Sequence, residues 1–307
     1  MNSTRVFLEF LLFPGLLFTA AAGLLTSWVD RKVTAMVQMR VGPPLLQPFY
    51  DLRKYFIKET CVPEGGATGL FLLAPLIGFA GVTLASLILW RALLNPQVTF
   101  VGDLIVLVYL LMMPALGVVL GAFASRNPLA SIGGSREIQL MIAYELPLVL
   151  VVLVPVIQAE SIRLGDLVGG TPAATWSGAL ALLAGLACMQ AKLTIVPFDM
   201  PEAETELTGG VFIEYSGPPL GVYKLTRAMM LFTLPVFLVA LFFGGFVIGP
   251  GLAPKLWGLL AWFVLVALTV VIRNTTPRLR TDQAVKFFWG PVSLLALAAV
   301  VLAWLGY

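Results

Sequence analysis

The sequence of 307 residues contains no histidine and only two cysteines, Cys61 and Cys188. Two distant cysteines cannot supply the four thiolates of an iron–sulfur cluster, no CxxC motif is present, and haem ligation by histidine is excluded. Charged residues are also scarce, at 11%, whereas a soluble domain carries roughly a quarter. The composition therefore predicts a chain that holds no redox centre of its own and is not a soluble domain.

Hydrophobic residues make up 59% of the chain, and apolar runs of about 20 residues, long enough to cross a bilayer, recur along it. We predict an all-α polytopic membrane protein, a single transmembrane domain over residues 1–307. The first apolar run lacks the cleavage pattern of a removed signal peptide and is expected to be the first span. The predicted spans number about eight and lie near 7–28, 70–90, 103–124, 137–158, 176–196, 220–246, 256–273 and 285–306.

The stretch of residues 44–58, "PLLQPFYDLRKYFIK", is amphipathic and too short to span, which predicts a helix lying along the membrane surface. It belongs to a basic region over residues 30–69. This region contacts either lipid headgroups or a cytoplasmic partner subunit, while nucleic acid is disfavoured because these charges lie against a membrane. The basic residues in question are Arg31, Lys32, Arg40, Arg53, Lys54 and Lys58.

The distribution of basic residues predicts the orientation. Sorting the 19 lysines and arginines into alternating loops of the eight-span arrangement places 15 on one side and 4 on the other. Because cytoplasmic loops carry the excess of Lys and Arg, the first side is predicted to be cytoplasmic and both termini to lie outside.

Acidic residues concentrate in "VPFDMPEAETELTGGVFIEYSG", residues 196–217, which contains no Lys or Arg. Asp199 and Pro201 predict a helix start, which would place Asp199, Glu202 and Glu206 on one helical face. Clustered carboxylates raise each other's pKa and can hold protons near neutral pH. The alternative is a solvated charged loop. The carboxylates of this acidic loop are Asp199, Glu202, Glu204, Glu206 and Glu214.

Four further charges lie within or at the ends of predicted spans. Glu145 lies inside the fourth span, where a carboxylate is a functional candidate by default, or else a protonated hydrogen-bonding group. Glu137 and Asp103 each begin a predicted span, where an acid also suits a helix N-terminus. Lys192 lies near the end of the fifth span and either snorkels to the surface or relays protons. We predict a proton path through these residues and the acidic loop.

Three motifs resemble the complex I subunit 1 family over essentially the whole chain. They are the basic region "DRKVTAMVQMRVGPPLLQPFYDLRKYFIKE", the acidic loop, and "RNTTPRLRTDQAVKFFW" before the last span. The segment "GGSREIQLMIAYELPLVL" looks most like the membrane subunit of energy-converting, Ech-type (group 4) [NiFe] hydrogenases. One position departs from the pattern, because relatives commonly carry a glutamate where Lys192 stands.

The resemblance implies a subunit that anchors a peripheral [NiFe]-hydrogenase and iron–sulfur module and couples its electron transfer to movement of H⁺ or Na⁺. The [4Fe–4S] clusters and the [NiFe] site would belong to small and large partner subunits, with antiporter-like membrane subunits alongside. Arg278 and Arg280 of the last loop join the basic region as predicted docking residues. One alternative is the quinone-chamber subunit of an NADH, ferredoxin or F420H2 dehydrogenase of complex I type. A free-standing transporter is the other.

Overall fold

A computed structural model describes residues 3–246 and 252–307, and within these ranges the chain is helical, with no strand. The predicted all-α class is confirmed. The α-helices are α1 (Ser3–Leu11), α2 (Leu16–Val37), α3 (Gln47–Ile57), α4 (Thr68–Leu94), α5 (Asp103–Leu110), α6 (Met113–Ala124), α7 (Pro128–Ala159), α8 (Leu164–Leu167), α9 (Trp176–Lys192), α10 (Glu204–Leu207), α11 (Gly217–Phe242), α12 (Leu252–Thr275), α13 (Thr281–Phe287) and α14 (Ser293–Trp304).

Seven helical segments in the described ranges are long and apolar enough to cross a membrane. The predicted span near 176–196 corresponds to α9, whose 17 residues rise about 25 Å, at the short end of what can span. It packs between α7 and α14. The seven segments are Phe7–Val37, Thr68–Leu94, Asp103–Ala124, Pro128–Ala159, Gly217–Phe242, Leu256–Thr275 and Thr281–Trp304.

Helix α11 lies at the centre of the molecule, packed against α2, α3, α4 and α12, and nearly all of its side chains from Ala228 to Phe242 are buried. Polar groups on α11 therefore face other helices rather than the surroundings. The predicted amphipathic helix is α3, which packs on α2 and α11 at the end of the molecule where the basic residues concentrate.

Two predicted helix boundaries are wrong, and both change the setting of charged residues. Helix α2 continues to Val37, so Asp30 and Arg31 lie on a helix rather than in a loop. Helix α7 begins at Pro128 because the Asn127 side chain caps it by accepting from the Leu129 amide at 2.8 Å. Glu137 is therefore well inside α7 rather than at its N-terminus.

The predicted helix from Asp199 is also wrong, since the acidic loop contains only a short α-helix at Glu204–Leu207 and a 3-10 turn at Gly210–Phe212. The loop folds back on itself instead, with the Val211 amide donating to the Pro201 carbonyl at 3.3 Å. Gly210 allows this turn: its φ is +53°, and a Cβ there would collide with the same carbonyl. Asp199, Glu202 and Glu206 therefore do not share a helical face.

A buried row of charged side chains as candidate functional site

The first charged pair joins the acidic loop to the central helix. Arg227 of α11 donates from Nη1 to Glu202 at 2.8 Å and from Nη2 to the Thr194 carbonyl at 2.9 Å. Burial would raise the pKa of Glu202, but the charges of Arg227 and Lys224 outweigh it and hold this pKa below its ordinary value. The Glu202 carboxylate is thus ionised at neutral pH and fixed against α11.

Glu137 lies next to this pair, on α7. Its side chain is only 2% exposed, and its Oε2 atom has no hydrogen-bond partner among the described residues. The carboxylate lines a cavity of about 60 Å³ together with Glu202, Lys192 and Arg227. That volume holds about two water molecules. A buried carboxylate with an unpartnered oxygen is costly unless it is protonated or solvated within such a cavity.

Lys192, at the end of α9, extends the row further inside. Its side chain is 1% exposed, and its Nζ donates to Glu145 Oε1 at 2.8 Å. The ammonium also lies 5.1 Å from the centre of the Tyr144 ring. The snorkelling interpretation of Lys192 is therefore wrong, because Glu145 and the Tyr144 ring face supply the polar contacts that the surface would otherwise provide.

A larger cavity of about 650 Å³ lies at the basic end of the molecule, between α2, α3, α11 and the acidic loop. It shares Thr194, Glu202 and Arg227 with the smaller cavity. Ten of its 22 lining residues are charged, among them the Arg273–Asp30 pair at 2.9 Å and the Arg31–Asp51 pair at 2.6 Å. A row of charged groups therefore extends from this cavity, through Glu202 and Glu137 in the lining of the smaller cavity, to the Lys192–Glu145 pair.

The remaining acids of the loop lie outside this row. Glu206 pairs with Arg136 at 2.6 Å, and its side chain is 50% exposed. Asp199 pairs with Arg278 at 2.8 Å and lines the larger cavity, and burial raises the pKa of its carboxyl. Glu214 accepts from the Asn127 amide at 2.5 Å. Glu204 begins α10, and its side chain lies outside the described part of the chain.

Asp103 forms a separate structural contact. Its Oδ1 accepts from the amides of Leu104 at 2.8 Å and Leu164 at 2.7 Å, which ties the start of α5 to the start of α8. It lines none of the cavities described above. The structure thus does not bring Asp103 together with the other predicted proton-path residues.

The predicted docking cations of the basic region lie on α2 and α3, in the segment between them and, for Lys58, directly after α3. Arg40, Arg53, Lys54 and Lys58 are exposed, and the connecting segment also carries Met39 and Val41, 95% and 99% exposed. Nearly complete exposure of apolar side chains beside cations is typical of a surface that another molecule covers. Arg278 is instead engaged with Asp199, and Arg280 lies in a groove beside α13.

Sequence reasoning missed several members of the row. Arg227 and Lys224 contribute only to the count of basic residues that predicts the orientation, although an arginine on a membrane helix signals a functional site by itself. Tyr144 gave no such signal. The Asp30–Arg273 pair gave none either, because only the fold brings α2 and α12 together. Across the described residues, no three acidic or cysteine side chains converge as a metal site would require.

Comparison with known proteins gives a consistent result. The sequence profile of the family described as NADH dehydrogenase matches residues 9–304. Among relatives, the H subunit of NADH-quinone oxidoreductase from Brevibacillus brevis is 34% identical over 97% of this chain and 94% of its own. The H 2 subunit of the same type of enzyme from Syntrophobacter fumaroxidans is 36% identical over 90% of this chain and 89% of its own.

A solved structure also resembles the whole chain. A chain of the membrane-bound sulfane sulfur reductase, an archaeal respiratory membrane complex, superposes with a TM-score of 0.83 at 28% identity. The match covers 97% of this chain and 99% of that one. The predicted resemblance to the complex I subunit 1 family is confirmed.

Proposed function

Because the chain belongs to the NADH dehydrogenase family, as a multi-pass membrane subunit of a complex I-type oxidoreductase, we propose that it couples electron transfer in a peripheral module to proton translocation. The observation that carries this proposal is the row of charged groups between the larger cavity and Glu145. Such a row is costly inside a membrane unless it is used.

The row suits stepwise proton transfer. A proton from the larger cavity neutralises Glu137, whose unpartnered oxygen faces the smaller cavity. Lys192 then passes its own proton to Glu145, with which it is hydrogen bonded. It takes the proton held by Glu137 across the smaller cavity, which both side chains line. The first step neutralises Glu137, and the second neutralises Lys192 and Glu145 together. The third restores the charges of Lys192 and Glu137 and leaves the transferred proton on Glu145, and no group other than these three changes its protonation state.

The smaller cavity favours H⁺ over Na⁺. Its lining contains three cationic side chains, those of Lys192, Lys224 and Arg227, against the two carboxylates of Glu137 and Glu202. A sodium ion without its hydration shell would meet a net positive lining, which repels it. A proton bound to a carboxylate adds no free cation to the cavity.

The peripheral module would dock on the basic region of α2 and α3, where cations and exposed apolar side chains occur together. The likeness of "GGSREIQLMIAYELPLVL" to Ech-type hydrogenases supports a module with iron–sulfur clusters and a [NiFe] site in partner subunits. Antiporter-like membrane subunits would lie alongside. With the basic end in the cytoplasm, both termini of this chain lie outside.

A quinone chamber is the second candidate, since the larger cavity, at about 650 Å³, has the volume of a small-molecule site. A quinone chamber here would be walled by the stretch "LLQP", residues 45–48, but of these four residues only Pro48 lines the cavity. The many charged side chains in the lining suit water and protons better than an apolar quinone tail. We therefore place proton transfer first.

Glu145→Gln tests the proposed function, because glutamine keeps the shape and a hydrogen-bond acceptor but cannot titrate. In vesicles containing the assembled complex, proton uptake should fall by about tenfold or more, the scale of a lost proton-transfer step. Dye-linked hydrogen oxidation by the peripheral module should be retained. Normal proton uptake by Glu145→Gln would contradict the proposal, and subunits that co-purify with the tagged chain would identify the module.

A further inference from the structure

A third cavity lies beside α7 and shares no lining residue with the two cavities of the charged row. It is a groove of about 750 Å³ between α7, the acidic loop and α13. Its lining contains four cations and only two carboxylates, Arg136, Arg278, Arg280, Lys286, Glu206 and Asp282. An excess of positive charge within one groove favours an anionic ligand.

The cations differ in how they are engaged. Arg136 donates to Glu206 at 2.6 Å, and Arg278 donates to Asp199 at 2.8 Å. Among the described side chains, neither Arg280 nor Lys286 forms a salt bridge, and both are exposed. Guanidinium groups match phosphate oxygens bidentately, and a lysine beside them adds a point charge. The groove thus has the donor set of a phosphate site.

Apolar stripes continue from the groove along both helices that form it. On α7 the exposed face that begins with Gln139, a groove residue, runs on through Ile142, Leu146 and Val149 at helical spacing. On the last membrane segment, Thr281–Trp304, Trp289 lies between α13 and α14 and Leu297 lies on α14, and both are exposed. The groove is cationic, lies at the basic end of the molecule and opens onto an apolar seam between membrane helices. This combination matches a phospholipid, with its charged headgroup and apolar chains, rather than a free anion.

We propose that this groove binds the phosphate of an anionic phospholipid, whose acyl chains lie along the seam between α7 and α14. Arg280 and Lys286 hold the phosphate, and Trp289 marks the level of the headgroups. This role separates Arg280 from the docking cations of α2 and α3. It also places a lipid beside Arg136, which anchors the acidic loop through Glu206.

Site-directed photo-crosslinking tests the proposal on the assembled complex. A photoreactive amino acid replaces the neutral Gln139, and the complex is placed in nanodiscs containing labelled phosphatidylglycerol or labelled phosphatidylcholine. The crosslink from position 139 to labelled phosphatidylglycerol should form at least about tenfold more efficiently than the crosslink to labelled phosphatidylcholine. Arg280→Gln and Lys286→Gln should each lower that labelling about fivefold, since each basic residue near a membrane surface adds about that much.

Arg126→Gln is the matched control. Arg126 is an exposed arginine between α6 and α7, near the N-terminal end of α7 where the groove lies, but it does not line the groove. It should leave the labelling unchanged. Inorganic phosphate at millimolar concentration should not displace the lipid. Equal labelling of the two lipids, full displacement by inorganic phosphate, or a crosslink to a protein subunit in place of lipid would each overturn the proposal.

Discussion

Two ion pairs hold carboxylates of comparable chemistry in opposite settings. Lys192 and Glu145 meet inside the molecule at 2.8 Å, with the lysine 1% and the glutamate 22% exposed. Arg136 and Glu206 meet at 2.6 Å at the surface, where half of the glutamate side chain is exposed. The shorter distance belongs to the pair expected to stabilise the protein less, because bulk water screens exposed charges more strongly than buried ones. Burial, more than separation, decides which pair is costly to break.

The largest expected effect is that of Lys192→Met, which keeps the unbranched chain but leaves Glu145 without its cation. Removing one partner of a buried pair costs about 3–5 kcal/mol of unfolding free energy, and we expect about 3 because Glu145 retains some exposure. Denaturant unfolding of the purified chain in detergent measures it. Adding Glu145→Gln to Lys192→Met should recover most of the loss. No recovery would mean that the lysine stabilises the protein through packing alone.

A smaller effect is expected for Glu202→Gln, with a characteristic pH dependence. Since the pKa of Glu202 is held below 4.5, its stabilisation is present above that pH and is lost as the pH falls through the lowered pKa. Glu202→Gln should lower the unfolding free energy by about 1–3 kcal/mol at pH 7 and by less at pH 3. An unchanged difference at both pH values would show that the charge of Glu202 does not contribute.

The smallest effect is expected for Glu206→Gln, the exposed member of the comparison. The pKa of Glu206 is also lowered, chiefly by the hydrogen bond from Arg136, but its solvation leaves little to lose. Thermal stability and proton uptake should both be indistinguishable from those of the unmodified protein. A loss of proton uptake comparable with that of Glu145→Gln would place Glu206 within the path.

Sequence reasoning succeeded where a single segment carries the information. Apolar runs located the membrane helices, and amphipathic spacing located α3 at Gln47–Ile57. The order of motifs identified the family. Lys192 and Glu145 could each be singled out, but their pairing could not, since they lie on different helices.

The errors share a physical cause, which is that side chains in three dimensions override local patterns. Asp199 resembles a helix cap, but Arg278 binds its carboxylate instead. Glu137 resembles an N-terminal acid, but the Asn127 cap starts the helix about two and a half turns earlier. The sequence of the acidic loop predicts one cluster, yet its four described carboxylates divide between the buried row, a cavity wall and the surface. An arginine or asparagine from another part of the fold binds each of them.

The central claim, that the buried row conducts protons and the exposed acids do not, is tested most directly by the number of protons moved per pair of electrons transferred by the assembled complex. This ratio is measured in one vesicle preparation for Glu137→Gln and Glu206→Gln. The account predicts that Glu137→Gln lowers the ratio by about tenfold or more without slowing dye-linked electron transfer by the peripheral module, while Glu206→Gln leaves it unchanged. An unchanged ratio in Glu137→Gln would contradict the account.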